Sequence, residues 1–132
     1  MRIITPDDAA FAVGGPVDAP VAISYTFEGT ATVDAVVAPF SIGTVAMDGP
    51  YLVSIWIKIS NTTAATGTLA VSLVRGAYGL NSPATNLNAT SDLSSTNGTS
   101  LLAGNVTLNW TIAGFTTGSA DYKIIASIVK LF

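Results

Sequence analysis

The stretch Gly49-Pro50-Tyr51-Leu52-Val53-Ser54-Ile55-Trp56-Ile57-Lys58-Ile59-Ser60 carries an unbroken apolar row at every second position: Tyr51, Val53, Ile55, Ile57 and Ile59. A period of two is the repeat of a β-strand with one face on a core. The alternate row, Leu52, Ser54, Trp56, Lys58 and Ser60, mixes two large apolar groups with polar ones. That mixture predicts partial cover of the outer face by something other than the domain's own core.

Upstream, Val21, Ile23, Tyr25 and Phe27 alternate with Ala22, Ser24 and Thr26, and Glu28-Gly29 predicts a turn. Residues 32–37 and 41–47 predict two shorter strands, the second ending at the turn dipeptide Asp48-Gly49. Downstream, residues 61–67 form a polar turn. Residues 68–75, with Leu69, Val71 and Leu73 on one side, then predict a hairpin partner for the strand at 51–60. The stretch 81–100 holds thirteen Asn, Ser or Thr in twenty residues and one charge, Asp92, which predicts a long exposed loop.

Further on, Val106, Leu108, Trp110 and Ile112 alternate with Asn105, Thr107, Asn109 and Thr111, the pattern of a half-buried strand with an Asn/Thr ladder facing water. After a turn at 114–118, the closing strand is apolar on both sides. Tyr122, Ile124, Ala126, Ile128 and Phe132 share one face, and Ile125, Val129 and Leu131 the other. Such a strand needs two covers. With no long segment of 3.6-residue apolar period, the pattern predicts an all-β fold. It is a single antiparallel β-sandwich of jelly-roll type over residues 21–132, preceded by an extended N-terminal arm over residues 1–20.

The arm contains Pro6, Pro16, Pro20, Gly14 and Gly15, a spacing that forbids a long helix. Between them lie Ile3, Ile4, Phe11 and Val13, the candidate residues for attachment to a neighbouring surface.

Composition narrows the function classes. Only 10% of the residues are charged, against roughly 25% in an average domain. The surface must therefore be Ser, Thr, Asn and Gly, or be covered by neighbours. Five scattered basic residues and a net charge of −3 argue against a nucleic-acid partner. The absence of His and Cys removes the common nucleophile-base pairs and the nitrogen and sulfur metal sites. Asp92 and Asp121 stand too far apart in sequence to suggest a catalytic carboxylate pair, and Asp7-Asp8 reads as a solvated turn. No cofactor, no metal and no catalytic residue is expected, and the chain reads as a non-enzyme. No stretch reaches the ~18 apolar residues of a membrane helix, so no membrane partner is expected.

The order of these features resembles the globular head of the tumour-necrosis-factor and complement superfamily, a trimeric jelly roll. The residues that carry the resemblance are Phe40, then Asp48-Gly49-Pro50-Tyr51-Leu52-Val53 with its glycine-x-tyrosine strand entry. Thr68-Leu69-Ala70-Val71-Ser72-Leu73 and the apolar closing strand from Tyr122 to Leu131 complete the set. Heads of this type on bacteriophage virions, as capsid decorations or at fibre tips, are similarly rich in Ser, Thr, Asn and Gly and low in charge. The resemblance implies a homotrimer on the capsid exterior, with Leu52, Trp56, Ile125, Val129 and Leu131 as candidate interface residues. It also implies a major capsid protein or another virion protein as partner. The alternative it implies is the receptor-binding head of a tail fibre, with host glycan contacting the 81–100 stretch.

Overall fold

The computed structural model of the protein describes residues 22–131. Nine strands and no helix make up the described chain: β1 (Ala22–Ala31), β2 (Ala35–Val45), β3 (Gly49–Thr63), β4 (Thr68–Arg75), β5 (Tyr78–Asn81), β6 (Thr85–Asn86), β7 (Ser91–Leu101), β8 (Gly104–Ala113) and β9 (Ser119–Lys130). They form two antiparallel sheets. The front sheet has the order β1-β9-β3-β7; the back sheet has the order β2-β8-β4-β5, with β6 beside the start of β4. Between them lies one core. The row Tyr51, Val53, Ile55, Ile57 and Ile59 and the β9 row Tyr122, Ile124, Ala126 and Ile128 meet Leu69, Val71 and Leu73 of β4 and Val106, Leu108, Trp110 and Ile112 of β8. The Tyr51 ring is fully buried, and its hydroxyl donates to the Met47 carbonyl at 2.6 Å, so the one polar atom of that side chain is satisfied.

Four aromatic rings close the β1/β2 edge of the sandwich. Phe27 lies 4.8 Å from Trp110, Phe40 lies 5.7 Å from Trp110, and Tyr25 lies 5.4 Å from Phe40, all as tilted or edge-on pairs. At one end, the β3–β4 and β8–β9 connections pack backbone against backbone. Thr66 Oγ1 accepts from the Thr116 amide at 2.7 Å, and Thr117 Oγ1 donates to the Ala64 carbonyl at 3.0 Å. A Cβ on Gly118, whose φ is +80°, would lie 2.1 Å from the Thr63 carbonyl oxygen, so only glycine fits there.

Four local expectations are corrected. First, β4 is not the hairpin partner of β3: it pairs with β8, β5 and β6 in the back sheet, while β3 pairs with β7 and β9 in the front one. Alternation tells which side of a strand is buried, not which strand lies beside it. The four-residue link at 64–67, with Ala64 and Gly67 at positive φ, carries the chain across the sandwich, and the polar turn expected at 61–67 is shortened because 61–63 belong to the end of β3.

Second, the stretch 81–100 is not a loop. It contains the end of β5, then β6 and nearly all of β7, whose register with β3 runs unbroken from Ser91↔Ile59 to Leu101↔Gly49. Its connecting part is anchored as well. Leu87 is fully buried, the Leu87 amide donates to the Gly67 carbonyl at 3.0 Å, and the Ser82 amide donates to the Val71 carbonyl at 2.8 Å.

Third, Glu28-Gly29 lies inside β1, opposite Lys123 and Tyr122, and makes no turn. Fourth, the two short strands expected at 32–37 and 41–47 are one strand, β2, with register breaks around Pro39 and Ile42. Pro39 has no amide to donate, and a break at the sheet edge accommodates it.

Candidate functional site

Alternation along β1, β9, β3 and β7 turns every second residue of the front sheet away from the core, and the register sorts those residues into rows across the strands. One row is Glu28, Lys123, Lys58 and Asp92; the next is Thr26, Ile125, Trp56 and Ser94; then come Ser24, Ser127, Ser54 and Thr96; and beyond them Val129, Leu52 and Gly98. The candidate interface residues are thereby brought onto one face. Trp56 stands opposite Ile125, and Leu52 opposite Val129. Between the two pairs lies the polar row of Ser24, Ser127, Ser54 and Thr96, in which Ser54 and Ser127 share a hydroxyl hydrogen bond of 2.6 Å. Leu131 follows β9 on the same side of the molecule as Pro50, whose carbonyl accepts from its amide at 3.0 Å.

These groups are exposed to a degree unusual for large apolar side chains that touch one another. Leu52 is 39% exposed, Val129 37% and Leu131 48%, while Trp56 and Ile125 are half-buried. The larger exposures elsewhere, at Val33, Val36 and Leu102, lie on loops or on the far sheet edge, each apart from these pairs. Isolated exposed apolar residues are ordinary on a protein surface; two cross-strand apolar pairs and Leu131 gathered on one sheet face are less so.

The opposite face of the sandwich shows what a solvated face looks like in this protein. Asn105, Thr107, Asn109 and Thr111 of β8 alternate with the core row, as expected, and hydrogen bonds tie their neighbours together. Ser41 Oγ donates to Asn105 Oδ1 at 2.5 Å, and Ser72 Oγ donates to Asn81 Oδ1. The two outer faces differ: the β8 row of the back face is amides and hydroxyls, with the exposed Val36 beside it on the edge strand, while the front face carries two apolar cross-strand pairs and a charged end.

At that charged end, an open cleft of about 450 Å³ is lined by Glu28, Lys58, Ser60, Asp121 and Lys123 among others. Lys123 Nζ lies 3.3 Å from Glu28 Oε2, an exposed pair worth at most ~1 kcal/mol. Lys58 and Lys123 stand directly opposite, a like-charge placement offset by Glu28 on one flank and Asp92 on the other. Asp121 accepts from Asn61 Nδ2 at 2.8 Å and from Thr30 Oγ1 at 2.8 Å, and these two bonds, Asn61 first, hold its carboxyl below the ordinary range. Among the described residues, no group of three or more His, Cys, Asp or Glu is placed to hold a metal ion.

Trp110, expected in the core, is 2% exposed, and its indole N–H has no hydrogen-bond partner. The candidate attachment residues Ile3, Ile4, Phe11 and Val13 lie outside the described residues, as does Phe132. Sequence reasoning missed the charged row, because Glu28, Lys58, Asp92 and Lys123 become neighbours only through the strand order.

No family model matches the sequence, and no curated protein matches it. Among solved structures, a chain in the structure of infectious bursal disease virus Gx strain is similar over 86% of this protein, at 8% identity and a TM-score of 0.48. This protein spans about a third of that chain, 34% of its length. The C-terminal domain of A223, a structural protein from sulfolobus turreted icosahedral virus, is similar over 77% of this protein and 95% of its own chain, at 20% identity and a TM-score of 0.31. FLHE is similar over 83% of this protein and 97% of its own chain, at 15% identity and a TM-score of 0.36.

Proposed function

We propose that this protein is a structural virion component without enzymatic activity. In this reading it is a jelly-roll head that assembles as a homotrimer through the outer face of the front sheet and decorates the capsid exterior. The observation that carries the reading is the difference between the two outer faces: the Asn/Thr row of β8 on one, and two cross-strand apolar pairs, Trp56 with Ile125 and Leu52 with Val129, on the other. The winding supports the fold assignment. β1 pairs with β9, β2 with β8, β3 with β7 and β4 with β5, so the chain runs out and back as one long hairpin rolled into two sheets. The low charge and the Pro- and Gly-spaced residues 1–20 support a head that works through contacts, with Ile3, Ile4, Phe11 and Val13 as attachment residues on a major capsid protein or another virion protein.

The receptor-binding alternative placed host glycan on the 81–100 stretch. That stretch is largely a strand in the front sheet, so in the alternative the glycan would meet the exposed side chains of β7 and not a loop. Counting copies per particle by quantitative mass spectrometry tests decoration against that alternative. Copy numbers that scale with the capsid surface are expected; a handful per particle, confined to a tail tip, would overturn decoration in favour of a fibre head.

A further inference from the structure

The four sheet edges of the sandwich are not equally defended. β2 carries Pro39 and two register breaks, and β5 is four residues long. Both are common devices against pairing with another chain. β1 carries a charged pair, Glu28 with Lys123, and follows Pro20. β7 has none of these devices. It is eleven residues long and regular, with no proline, no bulge, no basic residue and a single charge, Asp92, near its start. About half of its amides and carbonyls point away from β3, as in any edge strand, and form a ready ladder.

The flank below β7 is also incomplete. Ser91, Leu93, Ser95, Asn97 and Thr99 stand in register with the core row of β3, yet Leu93 is 42% exposed and Asn97 and Thr99 are not buried. On this side the back sheet ends in the short β5 and β6, whereas the opposite side of the sandwich is sealed by Phe27, Phe40 and Trp110. A strand added beside β7 would pair its outward backbone groups and place apolar side chains over Leu93.

The chain itself carries a segment of fitting composition. Outside the described residues, 7–13 is a proline-free run between Pro6 and Gly14. In it, Ala9, Phe11 and Val13 alternate with Ala10 and Ala12. Seven extended residues span ~23 Å, enough to cover most of β7.

We propose that β7 is a strand-addition edge whose occupant is the segment 7–13 of a neighbouring copy, with Phe11 and Val13 covering Leu93, so that of the four attachment residues only Ile3 and Ile4 are left for another virion protein. This contact is separate from the apolar outer face and does not depend on it. The linked copies would be joined by backbone hydrogen bonds, with specificity from alternate side chains.

Amide hydrogen exchange on the full chain tests it, with light scattering on the same samples. At high concentration the outward amides of β7 are expected to exchange at least tenfold more slowly than those of β1, the other long edge of the same sheet. A Phe11→Asp, Val13→Asp double variant should return β7 to the β1 rate while β9 stays protected. Dilution to a monomeric mass should do the same. β7 amides that exchange as fast as those of β1 at high concentration would overturn the proposal. Protection that survives the double variant would exclude this segment, and protection that survives dilution would exclude a neighbouring copy. The Val129→Asp variant, which acts on the outer face, separates the two contacts: β7 should remain protected in it at high concentration.

Discussion

Val129→Asp is the substitution that separates assembly from folding most cleanly. In a single copy, Val129 is already 37% exposed and lies on the outer face, so an aspartate there keeps its hydration, and the fold should lose no more than ~1 kcal/mol. In the proposed trimer the same position is covered. Burying the exposed two-fifths of Leu52 and Val129 contributes about 0.6–1.2 kcal/mol for each side chain, from the ~1.5–3 kcal/mol of full burial. An aspartate forfeits that share and adds the cost of a covered, unpaired carboxylate, several kcal/mol. On that face of β9 the nearest cation is Lys123, six residues and ~20 Å away, while Lys130, next in sequence, belongs to the opposite face and reaches toward Gly49. A combined loss of at least ~3 kcal/mol weakens association by more than 100-fold. Sedimentation velocity from 1 to 100 μM, paired with a urea melt, reads both quantities. A variant that keeps its urea midpoint and loses the trimer, with only the association through β7 left at the highest concentrations, fits the account. One that assembles like the parent refutes the covered face, and one that unfolds shows that Val129 belongs to the chain's own core.

The remaining predictions concern the fold beneath that face. Leu87→Ala should cost ~2–5 kcal/mol in chemical denaturation, since Leu87 is fully buried in the stretch that looked like a loop; replacing residues 82–99 with a Gly-Ser linker should unfold the protein as judged by circular dichroism. Gly118→Ala should lower the melting temperature, because its φ of +80° and a carbonyl oxygen 2.1 Å from the added Cβ leave no room. Asp121 ties β9 to Asn61 and Thr30 with a depressed carboxyl pKa. Its stabilising effect is therefore present above the ordinary carboxylate range and is lost as pH falls through the folded-state value. Asp121→Asn should flatten that acid limb of a stability-against-pH curve, and an unchanged limb would show that the two hydrogen bonds do not favour the carboxylate.

The rows that face the core were legible because burial imposes a period of two. Tyr51 to Ile59, Tyr122 to Ile128 and Val106 to Ile112 all lie where their alternation put them. The second apolar row of β9 was legible for the same reason, and the register then set Val129 against Leu52 and Ile125 against Trp56. Pairing was not legible, since β3 and β4 carry the same signal whether they lie side by side or face each other across a core. β7 was missed because it is an edge strand whose core-side residues are mostly Ser, Asn and Thr, so no hydrophobic alternation marks it. The charged row was invisible because its four members come from four strands that only the rolled topology makes neighbours.

The most direct test of the covered face is the solution mass of the unaltered chain, measured by multi-angle light scattering at micromolar concentration. The account predicts a stable particle of three times the 13.4 kDa chain mass. A monodisperse 13.4 kDa monomer at that concentration would contradict it.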